Sequence, residues 1–243
     1  MKATMLQRMQ HMSLRKKLPL MISALVITIL VGSNVFVYLM GSSMIMEESK
    51  QAMNDNADRL SEGLWTAVQM AEQAAYLTSD HSTFRDLLHL RAAGTMSDEE
   101  FLSSKNPLYT KANQTLASSF QGTRGNDSFV LMDTNGTIIA STNPNVIGQS
   151  RADRDYFAAS MTGQSFISDA LVAKDSKKLI FAFSHPVKDA SGKILGVFAT
   201  AVTSDYFTNK FKDIKVNDEG MITILSRTGV VLYTASIPTR SAL

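Results

Sequence analysis

The stretch QSRADRDYFAASMTGQSF, Gln149 to Phe166, brings four charges (Arg151, Asp153, Arg154, Asp155) up against two adjacent aromatics, Tyr156 and Phe157. A guanidinium is always charged and presents a planar fork that fits a carboxylate. Arg154 and Phe157 stand three apart, which puts them on one face of a helix, and Tyr156 adds a hydroxyl donor on a neighbouring face. These residue types suit the holding of a small anion. They equally suit a plainer arrangement, with Arg154 paired to Asp153 or Asp155 on the surface and Phe157 in the core. The surrounding elements decide between the two.

Catalytic patterns are missing. There is no G-x-G-x-x-G, P-loop or G-x-S-x-G element. Asp133 and Asp169 could serve a hydrolase, but neither has a partner at a recognisable spacing, so the chain reads as a non-enzyme. His11, His81, His89 and His185 do not fall at metal-ligand spacings, and there is no cysteine for a thiolate site or a disulfide. No metal and no cofactor is expected.

The elements that position the Arg-aromatic stretch begin at a membrane. The first 17 residues carry Lys2, Arg8, Arg15, Lys16 and Lys17 and no acid, whereas the rest of the chain has 19 basic and 22 acidic side chains. A basic tail on a mildly acidic body argues against nucleic acid as a partner. Residues 18–40, LPLMISALVITILVGSNVFVYLM, follow without a single charge. At about 1.5 Å per residue they cross a hydrocarbon core of roughly 30 Å. The basic side stays in the cytoplasm. The stretch reads as an uncleaved anchor in the cell membrane and not as a signal peptide, because no small-x-small site follows it before Glu47.

Beyond the anchor, Met53, Ala57, Leu60, Leu64, Ala67, Ala71 and Ala74 alternate spacings of four and three, a heptad seam. The seam suits a helix that packs on its own domain or one that pairs with the same helix in a homodimer. Trp65, Val68 and Tyr76 form a second apolar stripe that could face the domain. Three shorter helices have clear punctuation: a Ser82 cap with Gly94 at the end, a Ser97–Glu100 capping box, and an Asn106 cap with Pro107 first and Gly122 last.

The period then changes to two. SFVLMDTNGTIIAS makes a hairpin around Asn135-Gly136, and KKLIFAFSHPVKDASGKILGVFATAV a longer one around KDASGK. A short helix, SDYFTNKF, follows, and strands resume in MITILSRTGVVLYT. That last segment overlays the first hairpin at an offset of 93 residues, with Leu131 on Ile224, Gly136 on Gly229 and Ser141 on Thr234. An internal repeat would explain the match. Most of a second unit is missing, so the chain reads as the N-terminal part of a longer protein.

With DTNGTIIASTNP, DRDYF, FISDA, HPVKDASGKILGVF and the restart at MITILSRTG, residues 15 to 235 resemble the double-Cache ectodomain of bacterial methyl-accepting chemotaxis receptors. Sensor kinases and diguanylate cyclases share that ectodomain. The resemblance implies an α+β fold: a transmembrane helix, a long outer helix, and PAS-like antiparallel sheets of five or six strands with helices on one face. It implies residues 1–17 as cytoplasmic tail, 18–40 as transmembrane helix and 41–127 as outer helical region. Residues 128–212 become the membrane-distal module and 213–243 the start of a membrane-proximal one.

The distal module is the usual ligand binder in this family, and the Arg-x-aromatic-aromatic element matches Arg154, Tyr156 and Phe157. The implied function is an extracytoplasmic small-molecule sensor with Arg154 and Tyr156 on a ligand carboxylate. Ser141, Phe183 and Thr200, with Ile139 and Phe181, are expected in the pocket walls, and Asp169 at the site. In the amino-acid-binding subset of the family a tyrosine and two aspartates stand where this chain has Leu171, Ala173 and Ala201. A buried ammonium without an anionic partner is very costly, so the expected ligand is a small organic anion.

Overall fold

The computed structural model describes residues 14–121, 125–209 and 223–234. Met1–Asp58 and Arg59–Leu243 form two compact units, each taken by itself below.

One helix, α1, runs over Leu14–Ser79. Its first part contains the uncharged run 18–40, whose apolar side chains stand exposed. By length and composition this helix is apolar enough to cross a membrane. Two polar side chains inside the run bond back to the helix itself: Thr28 Oγ1 donates to Ala24 O at 2.8 Å and Asn34 Nδ2 to Leu30 O at 2.9 Å. Such back-bonding is what an apolar solvent demands of a hydroxyl or amide. Residues 1–13 of the basic tail lie outside the described residues.

The second unit is a six-stranded antiparallel sheet with helices on both faces. Three helices follow α1: α2 (Ser82–Ala93), α3 (Asp98–Phe101) and α4 (Pro107–Gln121). The Ser97 hydroxyl accepts from Glu100 N, and Asn106 Oδ1 from Leu108 N, as the caps predict. The cap of α2 is His81 and not Ser82; its Nδ1 accepts from Thr83 N at 3.3 Å. Gly94 ends α2 in the left-handed conformation, while Gly122 lies outside the described residues.

The strands are β1 (Asn126–Asp133), β2 (Ile138–Ser141), β3 (Phe166–Ile167), β4 (Leu171–Val172), β5 (Leu179–Lys188) and β6 (Ile194–Thr203), in the order β2-β1-β6-β5-β3 with β4 also on β5. Helix α5 (Asp155–Met161) precedes β3, and α6 (Ser204–Thr208) follows β6. A second hairpin, β7 (Thr223–Leu225) with β8 (Val231–Thr234), forms its own two-stranded sheet.

One face of the sheet carries Phe129, Leu131, Phe183, Val187 and Phe198, covered by Phe84, Leu87 and Leu88 of α2, Ala112 and Leu116 of α4, and Ala67 and Ala75 of α1. Phe198 stacks on Phe84 at 6.0 Å and meets Phe129 edge-on at 5.6 Å. The seam residues Leu64, Ala67 and Ala71 are therefore spent on the helix's own domain. Met53, by contrast, is exposed, and so are Trp65 and Tyr76 of the second stripe, with only Val68 reaching the core. The opposite face carries Met132, Ala182, Val197 and Ala199, covered by Tyr156 and Phe157 of α5 and by Val146. The expectation of helices on one face alone is thus corrected: α5 needs somewhere to bury two aromatics, and the second face supplies it.

The repeat is exact in register. Val130, Leu131 and Met132 pair with Ser141, Ala140 and Ile138, with a bulge before Met132. Thr223, Ile224 and Leu225 pair with Thr234, Tyr233 and Val231, with a bulge before Leu225. Each residue is 93 positions from its counterpart. The turns also match: Asp133 N donates to Thr137 O and Ser226 N to Val230 O, while Gly136 and Gly229 take φ of 78° and 86°. In the first turn Asp133 Oδ1 accepts from Thr137 N at 3.0 Å; in the second the Ser226 hydroxyl accepts from Val230 N at 3.1 Å. Met221, and the tail from residue 235, lie outside the described residues.

Candidate functional site

The cavity of interest lies between the second face of the sheet and α5. Its floor is made of small residues. Ser128 pairs with Ala201, and Ala201 with Ala182; Val130 pairs with Ala199. Directly opposed residues share a face, so this patch of sheet presents mainly alanine and serine and cannot fill the space beneath α5. That helix is fixed by a hydroxyl pair, Ser160 Oγ donating to Ser184 Oγ at 2.8 Å, and by Ser184 Oγ donating to Tyr156 O at 3.0 Å. The resulting cavity has a volume of about 40 Å³. One water takes roughly 10–15 Å³, so a group of only a few non-hydrogen atoms fits.

Arg151, Arg154, Tyr156, Lys174 and Asp175 supply the polar lining, and Leu171, Ala173 and Ile180 the apolar. The turn between β1 and β2 places Arg151. Gly136 allows the approach: its φ is 78°, and a Cβ there would stand 2.7 Å from Ala152 N. Arg151 N donates to Gly136 O at 2.8 Å, which pins the chain just before α5. The Arg151 side chain is buried, 7% exposed, and its Nη1 donates only to neutral acceptors, Gln149 Oε1 and Ser150 O, both at 3.1 Å. Arg154 caps α5 and its Nη2 donates to Val172 O at 3.4 Å.

Neither guanidinium has a carboxylate partner among the described residues. Asp153 is taken by Lys174 Nζ at 2.7 Å, which also holds its carboxyl below the usual range, and Asp155 Oδ1 accepts from Tyr156 N. Asp175 accepts from Asn143 Nδ2 at 3.1 Å. Tyr156 is buried, its hydroxyl makes no hydrogen bond among the described residues, and burial pushes its pKa up against the pull of the two arginine charges. It therefore stays a donor at neutral pH. Around this small apolar-floored cavity stand two guanidiniums bonded only to neutral acceptors and a phenol with no acceptor among the described residues. The Arg151 charge, buried without an anionic partner, is costly, and the arrangement has the chemistry to hold an anion.

Of the expected site residues, Arg154 and Tyr156 line the cavity, and Thr200 borders it. Thr200 pairs with both Phe129 and Phe183, which face the α2 side, so its side chain points away and its hydroxyl donates to Asn126 Oδ1. Phe183 and Phe181 are corrected to the same far side, and Ile139 belongs to the far core. The cause is a parity slip of one residue, which moves every side chain of a strand to the other face.

Phe157 is on the correct face but packs as core. Ser141 is a structural tie, its hydroxyl donating to Phe129 O and its N–H to Asn113 Oδ1. Asp169 lies outside the cavity, accepting from Thr228 N at 3.0 Å. With Phe181 and Phe183 it borders a separate apolar cleft of about 310 Å³. His185 sits on the α2 face, its Nδ1 2.8 Å from Ser165 Oγ, in a further cleft of about 280 Å³. Arg151 was missed by sequence reasoning. Leu171, Ala173 and Ala201, read as the places where an ammonium would be held, all line the cavity and are apolar.

A family model described as Cache domain matches residues 42–242. The chain belongs to the Cache family. The fold of this Cache chain is similar to the sensor domain of the V. cholerae histidine kinase DctB, with a TM-score of 0.58 and 22% identity over 73% of this chain and 63% of that one. It is also similar to the ligand-binding domain of the Campylobacter jejuni chemoreceptor Tlp3 in complex with 4-methylisoleucine, with a TM-score of 0.52 and 12% identity over 76% of this chain and 70% of that one. The chain thus spans less than two thirds of the DctB sensor domain. A search of curated proteins gives no match. Cache sensor domains therefore occur on a kinase and on a chemoreceptor alike.

Proposed function

We propose that this Cache chain is the extracytoplasmic sensor region of a membrane-anchored chemotaxis receptor, and that it binds a small organic anion in the cavity under α5. The observation that carries the ligand class is the pair of guanidiniums, Arg151 and Arg154, without a carboxylate partner among the described residues. The apolar Leu171, Ala173 and Ala201 weigh against an α-amino acid, because its ammonium would find no anion there. The cavity volume favours a short carboxylate. The uncharged helix 18–40 is the anchor, with the Cache module outside. A second copy of the chain is the partner that exposed Trp65, Met70 and Leu77 of α1 suit. The DctB likeness keeps a sensor kinase as the second reading of the output.

Thermal-shift screening of the detergent-solubilised chain against carboxylates, amino acids and amines tests the ligand class, followed by calorimetry on Arg154→Ala. A hydrogen bond to a charged group contributes about 1.5–3 kcal/mol, so the substitution is expected to weaken carboxylate binding by roughly 10- to 150-fold. Tight binding of an ordinary α-amino acid, or carboxylate binding unchanged in Arg154→Ala, would overturn the reading.

A further inference from the structure

The segment from Phe166 to Lys178 touches two places at once. It runs along the edge of the sheet as two very short strands: Phe166 and Ile167 pair with Ser184 and Phe183, and Leu171 and Val172 with Ile180 and Leu179. Between them the ladder is interrupted and held by one side chain. Ser168 N donates to Ala182 O at 2.9 Å, while its hydroxyl accepts from Ala182 N and donates to Asp169 O, both at 2.8 Å. Two-residue strands with an interrupted ladder belong to the low-stability end of a fold, where elements shift without global unfolding.

The downstream end of this segment forms a wall of the cavity through Leu171, Ala173, Lys174 and Asp175. Polar latches hold that wall: Lys174 to Asp153 at 2.7 Å, Asp175 to Asn143 at 3.1 Å, and the Ser176 hydroxyl to Asp127 at 2.8 Å. Arg154, the candidate ligand-binding guanidinium, donates to Val172 O in the same wall. The upstream end carries Asp169. Its Oδ1 accepts from Ala170 N at 2.7 Å and its Oδ2 from Thr228 N at 3.0 Å, inside the turn of the second hairpin. Asp169 thus hydrogen-bonds this hairpin from the sheet side. Ala173 stands four positions further on, about 13 Å of extended chain.

We infer that residues 166–178 are a relay: movement of the cavity wall is carried along this edge segment to the β7–β8 hairpin through the Asp169–Thr228 clasp. Occupancy of the cavity draws Arg154 onto the ligand and loosens its hold on Val172 O, so the wall moves. The interrupted ladder lets the segment move as a piece, and Asp169 passes the movement on. The inference rests on the cavity being the ligand site, but its test uses no ligand, so failure of the relay and failure of the ligand reading are told apart.

Hydrogen exchange read by mass spectrometry on the full chain in detergent, for wild type, Asp153→Ala, Asp169→Ala and the double variant, measures the coupling. Asp169→Ala is expected to speed exchange at the β7–β8 turn by roughly 2- to 13-fold, the equivalent of one hydrogen bond. Asp153→Ala, which releases the Lys174 latch on the far side of the segment, is expected to speed it too, and to add nothing once Asp169 is gone. Asp169→Asn leaves one acceptor oxygen for two N–H donors, Ala170 N and Thr228 N, and should give a rate between those of wild type and Asp169→Ala. Protection of β1 and β6 checks that each variant is folded; Asp175→Ala replaces Asp153→Ala if it is not. Unchanged turn exchange in the latch variant, or an equal acceleration with and without Asp169, would overturn the relay.

Discussion

Replacing Asp133 by alanine should lower the melting temperature of the Cache module by about 6–12 °C. This carboxylate is 4% exposed and accepts three hydrogen bonds: from Asn135 N at 2.9 Å and Thr137 N at 3.0 Å on Oδ1, and from Arg91 Nε at 3.1 Å on Oδ2. Breaking a buried ion pair costs about 3–5 kcal/mol because one charge is left behind. Arg91 keeps Asp98 as a second partner and its side chain is 22% exposed, which places the cost near the lower bound, about 3 kcal/mol. In a domain of this size each kcal/mol moves the midpoint by about 2–4 °C. Asp133→Ser makes a sharper test. The second hairpin already organises its turn with Ser226 at the corresponding position. A serine should keep the turn bonds, lose the Arg91 pair and cost about half as much. The assay is thermal unfolding by circular dichroism on the detergent-solubilised chain. A shift under about 2 °C for Asp133→Ala, or a serine variant no better than alanine, would refute the reasoning.

Other expectations follow from the same geometry. Gly196→Ala should destabilise strongly, since a Cβ there would stand 2.2 Å from Met132 O and 2.7 Å from Leu88 Cδ2; denaturant unfolding measures it, and a neutral result would contradict the β1–β6 packing. Arg151→Met should abolish anion binding in calorimetry while leaving the ligand-free melting temperature near wild type, because it removes a buried charge along with two bonds to neutral acceptors. The Asp153 carboxyl is depressed below 3.8 by Lys174, so the latch contributes above that value and is lost as pH falls through the lower folded value; an acid titration of Asp153→Asn should lack this step. Burial holds His185 below 6.5, so its protonation favours the unfolded chain: stability should fall as pH drops below 6.5, and His185→Gln should flatten that slope in pH-dependent melts.

The elements were readable where short-range chemistry dictates them. Asn135-Gly136, the Ser97 and Asn106 caps and the uncharged run 18–40 each carry their reason within a few residues, and the 93-residue repeat holds down to the hydrogen bonds of the turns. The faces of β5 were not readable. In LIFAFSHPV both faces are buried, so alternation contains no inside-outside signal, and Phe181 and Phe183 were placed on the cavity side when Ile180 and Ala182 hold it. Arg151 was hidden because its burial depends on a contact with Gly136, fifteen residues earlier, and not on its neighbours. Asp169 carried the right chemistry for a polar contact, but its partner lies in the other hairpin.

The hollow under α5 exists because Ala182, Ala199 and Ala201 are short, not because a loop stands open. On the proposed reading, ligand size is therefore set by side-chain length on the sheet. A longer side chain at any of the three would project into the cavity and take up part of its volume, so this surface is a graded dial. On the proposed reading, descendants of such a chain would resize the accepted anion in small steps while Arg151 and Arg154 stay in place.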